Sequence, residues 1–185
     1  MAKRILGIAV VGLGGAVGTT MAAGVELLKK GLIGVEGLPL AGVNIEGLAD
    51  YTDIVFSGWD VNGANLAAAA EEHDVLTYKQ FVAAEPALRT LKPWSAASDS
   101  AFLSNIEGEN TIGRSGHRAT IEKIRSDLST FKAKCDSVVV INLASTEKLT
   151  AEGNEIFNSI EGFEKALDEN SPHISPAMFY AYASI

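Results

Sequence analysis

A glycine-rich loop near the amino terminus is the first feature of this sequence that could do chemistry. Gly12, Gly14, Gly15 and Gly18 follow a short apolar run and precede a segment with a helical pattern. Glycines at a strand-to-helix junction allow a tight turn and let a ligand pyrophosphate approach the backbone N–H groups at the helix start. The loop therefore predicts a dinucleotide site. Its spacing is G-x-G-G-x-x-G rather than the common G-x-G-x-x-G, and a purely structural glycine turn is the alternative.

Two other interpretations of this segment fit less well. Lys3 and Arg4 ahead of an apolar run, with small residues at 21–24, resemble a secretory signal. Each glycine inside a helix, however, costs about 1 kcal/mol relative to alanine. A membrane span needs about 20 mainly apolar residues, and charges at Glu26 and Lys29 come too soon for that. We therefore expect neither a signal peptide nor a membrane helix here.

An aspartate after the second predicted strand could complete a nucleotide site. Asp60 lies in the run Gly58-Trp59-Asp60, and a carboxylate at this place can accept hydrogen bonds from a ribose diol. A turn or helix cap is the alternative role for Asp60. Glu46 competes for the ribose if an extra strand spans residues 41–48, because Asp60 lies farther from the glycine loop than is usual.

A third polar segment follows the most apolar run of the chain. Ala144, Ser145 and Thr146 come directly after the predicted strand 137–142. Small polar residues at the end of a buried strand can line a nicotinamide or ribose pocket. A helix cap formed by the run Ser145-Thr146-Glu147 is the alternative.

The hydrophobic pattern predicts the elements that must position these residues. Strands alternate with helices, which implies right-handed crossovers and a parallel sheet with helices on both faces. We therefore predict one α/β, Rossmann-like, doubly wound NAD(P)-binding domain over residues 1–185, with an irregular loop region at 93–111. The predicted strands are 5–11, 53–57, 137–142 and a short one at 75–78, and the predicted helices are 16–30, 65–72, 77–88, 118–132, 156–167 and 175–185.

Composition excludes several classes of partner. The chain has 185 residues, 47% of them hydrophobic, and a formal net charge of −8. An acidic chain without a lysine or arginine cluster does not suit nucleic acid or an anionic membrane. The single cysteine, Cys135, cannot form an internal disulfide, and the three histidines show no metal-ligand spacing, so we predict no metal site.

Four segments together resemble the inositol-3-phosphate synthase family, also called the myo-inositol-1-phosphate synthases. In chain order they read GLGGAVGTT, DIVFSGWDVNGANLAAA, VVVINLASTE and SPAMFYAYASI, at roughly the separations found in that family. The glycine loop is a moderately specific match, whereas G-W-D after a strand combined with A-S-T-E is much more specific. The resemblance covers nearly all of this chain but only the front portion of the family's chain.

The resemblance implies an NAD-dependent isomerase that converts glucose 6-phosphate to 1D-myo-inositol 3-phosphate. In that family NAD oxidises C5, enolisation and aldol cyclisation follow, and the NADH returns its hydride. Many relatives carry two asparagines where this chain has Ala16-Val17, so side-chain contacts from those asparagines are not expected here. The positions that match the family's cofactor contacts are Gly12, Gly14, Gly15, Ala16 and Val17 for the pyrophosphate, Asp60 for the adenosine ribose, and Ala144, Ser145 and Thr146 near the cofactor.

The resemblance also implies a cytoplasmic homo-oligomer, a tetramer by the family's pattern, that serves inositol and phospholipid biosynthesis. The family's catalytic lysines lie in the portion that follows, so we expect the catalytic residues beyond Ile185 and an inactive isolated chain. The last predicted helix bears aromatics and has no C-cap glycine, which favours a chain truncated before the catalytic domain. The alternatives are a generic NAD(P)-dependent dehydrogenase domain and a non-catalytic nucleotide-binding module.

Overall fold

Helices connect the strands of this chain, with two in succession after the second strand and two after the last. The computed structural model describes residues 4–43, 45–113, 115–150 and 154–185. Short 3-10 turns precede the second strand and the fifth helix. The strands are β1 Leu6–Val11, β2 Ile54–Asp60, β3 Trp94–Ser95 and β4 Ser137–Asn142, and the helices are α1 Ala16–Lys29, α2 Leu66–His73, α3 Tyr78–Leu88, α4 His117–Lys132, α5 Ile160–Asp168 and α6 Pro176–Ala183.

The four strands form one parallel sheet in the order β3-β2-β1-β4. The chain first builds outward from β1 through β2 to β3 and then returns to place β4 on the other side of β1. This reversal makes the boundary between β1 and β4 a topological switch point, where open α/β sheets bind their ligands. The predicted α/β class and the parallel sheet are confirmed.

Helices cover both faces of the sheet, as the sequence predicts. Successive side chains of β1 point to opposite faces, so Ile8 and Val10 pack into one apolar cluster while Ala9 and Val11 pack into the other. Helices α1, α2 and α3 bury apolar side chains in the first cluster, and α4, α5 and α6 do so in the second. A strand buried on both faces has to be apolar at every position, which explains the continuous hydrophobic run of β1.

The strand predicted at Val75–Tyr78 is wrong. Thr77 is instead the N-cap of α3, with its hydroxyl 3.4 Å from Gln80 N and its own N–H donating to Gln80 Oε1 at 2.9 Å. This capping box satisfies two backbone donors and starts the helix at once, so the helix predicted from Thr77 is confirmed.

The region predicted to be irregular, 93–111, contains the short edge strand β3. Trp94 and Ser95 pair with Trp59 and Asp60 at the end of β2, and Ala96 forms an isolated bridge with Thr111. A two-residue strand is too short for any periodicity to reveal it. Its position matters for the site, because it closes the edge of the sheet beside Asp60.

The aromatic residues of α6 find partners within this domain. Phe179 and Tyr180 are buried in the cluster formed by α4, α5 and α6, and Tyr182 is half-buried. The aromatic side chains of α6 therefore belong to the apolar cluster on the second face of the sheet. Ser175 and Pro176 do begin the helix as predicted, although the Ser175 side chain makes no capping hydrogen bond.

Candidate dinucleotide-binding site

A cleft of about 290 Å³ lies at the carboxyl ends of β1, β2 and β4. One wall is the glycine loop, another is the segment after β4, and the far wall is formed by residues 96–98 and the start of α6. The sheet therefore brings together the three segments that the sequence singled out. Among the predicted site residues, those that line the cleft are Gly12, Gly14, Gly15, Asp60, Ala144 and Ser145.

Gly12 makes the turn that leads from β1 into the loop. Its φ is +85°, a backbone conformation that side chains disfavour, and a Cβ there would lie 3.0 Å from Ala144 N. The N–H groups of Gly12 and Leu13 both donate to Trp59 O, at 2.8 and 3.1 Å. The turn therefore holds the loop between the ends of β2 and β4.

Gly18 explains the unusual spacing of the glycines. A Cβ at this position would lie 2.5 Å from Leu13 O, so glycine is needed for the close packing of α1 against the loop. In the common pattern the third glycine has this role. The loop is one residue longer than usual between its second and third glycines. Glycines still stand at the tight turn, at the approach to the pyrophosphate and at the packing of the helix.

The start of α1 is open to an anion. Gly15 is the N-cap, and no side chain within the described chain caps this helix. The first N–H groups of a helix have no intrahelical partner and favour negative charge, and the first turn here carries no acidic residue. The cradle that Gly14 and Gly15 leave free of Cβ atoms therefore fits a pyrophosphate. Neither Ala16 nor Val17 lines the cleft, but both belong to the first turn of α1, whose N–H groups have no intrahelical partner.

Asp60 is tied to the glycine loop. Its Oδ2 accepts a hydrogen bond from Gly14 N at 2.8 Å, and its Oδ1 accepts one from Asn62 N at 2.9 Å. Asp60 thus stabilises a turn, as the alternative interpretation held, and also faces the cleft. An ionised carboxylate has about four lone-pair sites, so two remain for ribose hydroxyls.

Glu46 lies elsewhere. The described residues of the 41–48 segment form turns and no strand, and Glu46 lines a separate cavity with Arg4 and Tyr51. The described part of 41–48 therefore lacks the extra strand that would have made Glu46 a candidate ribose ligand. Asp60 is the acidic residue that is hydrogen-bonded to the glycine loop.

The segment after β4 joins the cleft to the start of α6. Ala144 N donates to Asn142 Oδ1 at 3.0 Å, and Ala144 and Ser145 line the cleft, whereas Thr146 does not. Glu147 Oε1 accepts a hydrogen bond from Ala177 N at 2.9 Å, in the first turn of α6. Glu147 is thus a cap, but for a helix 30 residues away rather than for one starting at Ser145.

Aromatic side chains that the sequence patterns did not indicate as site residues form the floor of the cleft. Trp59 is fully buried, its Nε1 donates to Asp127 Oδ2 at 3.1 Å, and its ring lies 5.0 Å from the ring of Tyr180. The Tyr180 hydroxyl accepts a hydrogen bond from Ala97 N at 2.8 Å, and burial raises the pKa of this tyrosine well above its usual range. The position of Trp59 next to Asp60 could have indicated it from the sequence. Tyr180 reaches the site only through the packing of α6, which no local pattern shows.

The charged groups of the cleft are acidic. Asp60, Glu72 and Glu147 line it, and the described lining residues include no lysine or arginine. Such surroundings do not suit an additional phosphate on the ribose. Within the described ranges, no cluster of three or more His, Cys, Asp or Glu side chains is arranged to hold a metal ion.

A parallel sheet with a glycine loop and an adjacent carboxylate at its switch point defines a Rossmann-like dinucleotide-binding domain. The chain belongs to the myo-inositol-1-phosphate synthase family, because an NAD-binding family model with that description matches residues 43–185. NAD is accordingly the cofactor of this domain. No helix in the described parts of the chain has the length and apolar character to cross a membrane.

Similar proteins carry the same family name. An inositol-3-phosphate synthase of Bacteroides thetaiotaomicron is 37% identical over 196 residues, which cover 97% of this chain and 46% of that protein. One from Dictyostelium discoideum is 28% identical, over 97% of this chain and 42% of that protein. The crystal structure of inositol-3-phosphate synthase from Caenorhabditis elegans shares the fold, with a TM-score of 0.82 at 20% identity over 98% of this chain and 42% of that one. The chain thus spans less than half the length of these relatives.

Proposed function

We propose that this chain supplies the NAD site of an inositol-3-phosphate synthase, which converts glucose 6-phosphate to 1D-myo-inositol 3-phosphate. The observation that carries the proposal is the meeting of the glycine loop, Asp60 and the Ala144-Ser145 segment in one cleft of a family member. By family membership we extend the proposal to a cytoplasmic homo-oligomer, a tetramer, that serves inositol and phospholipid biosynthesis.

Each part of the cleft has a distinct task in this proposal. The N–H groups of Ala16 and Val17 in the first turn of α1 bind the pyrophosphate. Gly14 and Gly15 keep the cradle free of side chains, and Gly12 sets the turn that leads into it. Asp60 accepts hydrogen bonds from the adenosine ribose. Ala144, Ser145 and Thr146 lie near the rest of the cofactor, next to the switch point.

NAD, when bound, supplies a hydride acceptor that returns its hydride within the same turnover. The chain's own residues bind and orient it, and the aromatic floor of Trp59 and Tyr180 keeps that end of the cleft apolar. We assign no proton-transfer or aldol role to any residue of this chain. We infer that those groups lie in the remainder of the family's chain, of which the portion matched here is less than half.

Turnover of the complete natural protein tests the proposal. Glucose 6-phosphate and NAD should give inositol phosphate, detected as phosphate released by inositol monophosphatase, with no net NADH. Net accumulation of NADH with a hydroxy substrate would instead support a dehydrogenase, and nucleotide binding without any product would support a non-catalytic module. The isolated 185-residue chain should form no product.

Removing the charge of Asp60 should weaken NAD binding and relax the choice between NAD and NADP. We expect wild type to prefer NAD, because the 2′-phosphate of NADP would face a carboxylate without a nearby cation. In Asp60→Asn the affinity for NAD should fall by about tenfold, or 1.4 kcal/mol. The ratio of NAD to NADP affinity should also fall by about tenfold. Calorimetric titration with both nucleotides measures the two effects.

Asp50→Asn is the matched control. Asp50 is an exposed carboxylate that accepts a backbone hydrogen bond from Thr52 N, as Asp60 does from Asn62 N, but it lines the other cavity. This variant should leave both affinities unchanged. Equal binding of NAD and NADP by the wild-type chain would refute the assignment of Asp60 to the ribose.

A further inference from the structure

A histidine from α2 touches the glycine loop at its centre. His73 Nε2 lies 2.9 Å from Gly14 O, although the two residues are 59 positions apart. A carbonyl oxygen can only accept, so Nε2 carries the proton and donates. Both His73 and its neighbour Glu72 line the cleft, although no motif of the sequence indicates a role for His73.

The imidazole is carried by a well-anchored helix rather than by a loop. His73 is the last residue of α2, whose N-cap Asn65 accepts hydrogen bonds from Ala67 N and Ala68 N at 3.1 Å each. One face of the helix, including Leu66 and Ala70, is buried in the apolar cluster beneath α1. Packing therefore fixes the helix that carries His73, and the bond to Gly14 O orients the exposed imidazole itself.

The bond from His73 acts on a peptide group at the mouth of the pyrophosphate cradle. Gly14 O and Gly15 N belong to one planar peptide unit, and Gly15 N donates to Gly12 O at 3.1 Å. Gly14 N is held by Asp60 at 2.8 Å. The Thr19 hydroxyl also reaches Gly14 O, but at 3.4 Å, so His73 is the closer donor.

We infer that His73 is a positioning residue for the NAD pyrophosphate, an inference that rests on the proposed function of the cleft. By holding the carbonyl end of the Gly14–Gly15 peptide, it fixes the direction in which the N-cap and the first N–H groups of α1 point. Glycines on both sides of that peptide restrict its rotation little, so without His73 only the bond from Gly15 N to Gly12 O and the longer bond from Thr19 would hold it. His73 thus acts through the loop and does not need to touch the nucleoside.

Three variants and two ligands test this role. In His73→Ala the dissociation constant for NAD should rise about three- to tenfold, the value of one hydrogen bond, with Thr19 left as the remaining donor. Binding of adenosine, which has no pyrophosphate, should be unchanged. His73→Gln retains an N–H donor and should recover part of the loss. His173→Ala, at an exposed histidine outside the cleft, is the control and should bind both ligands like wild type.

Hydrogen exchange of the unliganded chain gives a second readout. The Gly15 amide should exchange faster in His73→Ala than in wild type, since its peptide unit loses the bond at the carbonyl end. An equal loss of NAD and adenosine affinity would mean that His73 contacts the nucleoside, and unchanged NAD affinity would mean that it positions nothing. Either result overturns the inference while leaving the proposed function intact, whereas a wild-type chain that binds no NAD would contradict the proposed function itself.

Discussion

Gly58→Ala should lower the free energy of unfolding by about 3 kcal/mol or more, because overpacking and backbone strain act together. Gly58 lies inside β2, opposite Val10 of β1, and has a φ of +154°. A Cβ in this conformation would lie 2.0 Å from Val10 O. That oxygen belongs to β1, which is paired on both sides, by β2 and β4, so it cannot move without disturbing the hydrogen bonds of the sheet.

Gly24→Ala is the matched control and should raise the free energy of unfolding rather than lower it. Gly24 lies in the middle of α1, and a Cβ there would meet no atom within 4 Å. Alanine in a helix interior should stabilise the chain by roughly 0.5–1 kcal/mol. Urea unfolding of both variants measures the difference, and an unchanged midpoint for Gly58→Ala would contradict the described geometry of β2.

Gly15→Val should abolish most NAD binding while leaving the chain folded. A side chain at the N-cap of α1 would stand in the cradle that fits the pyrophosphate, so we expect the affinity to fall by at least about tenfold. A Cβ at Gly15 would lie 3.2 Å from Gly12 O, and valine is a poor N-cap. The free energy of unfolding should therefore fall by only about 1 kcal/mol.

Gly113→Val is the control that separates the loss of NAD affinity at Gly15 from any general effect of replacing a glycine by valine. A Cβ at Gly113 would meet nothing within 4 Å, and the residue lies outside the cleft. The Gly113→Val variant should bind NAD like wild type in titrations and should unfold like wild type in parallel thermal melts. If Gly15→Val lost stability without a selective loss of affinity, the loop would be a structural turn rather than a binding loop.

The sequence predicts those elements whose signal is local. β1 and β4 are continuous apolar runs, and α4 repeats its apolar residues at steps of three and four, so each is found within a residue or two. At Val75–Tyr78 the residue pattern predicts a strand, but the capping box of Thr77 and Gln80 starts a helix instead. β3 exists because Trp94 and Ser95 reach the end of β2, a tertiary contact with no local pattern.

The residues of the site also fall into those with a local sequence signal and those placed by tertiary packing. The glycine loop and Asp60 could be predicted because each has a characteristic residue type at a strand end, and parallel strands bring their carboxyl ends to one edge. The hydrogen bonds from His73 to Gly14 O and from Ala177 N to Glu147 join residues 59 and 30 positions apart. No spacing rule predicts such contacts, since the packing of α2 and α6 decides them.

NMR titration of the 15N-labelled chain with NAD tests the central claim most directly. If the cleft is the NAD site, the amide signals of Gly14, Gly15 and Asp60 should shift in proportion to saturation, together with those of Ala144 and Ser145. Signals from the second cavity, around residues 45–51, should stay in place. An absence of shifts in the glycine loop at saturating NAD, or shifts confined to the second cavity, would contradict the account.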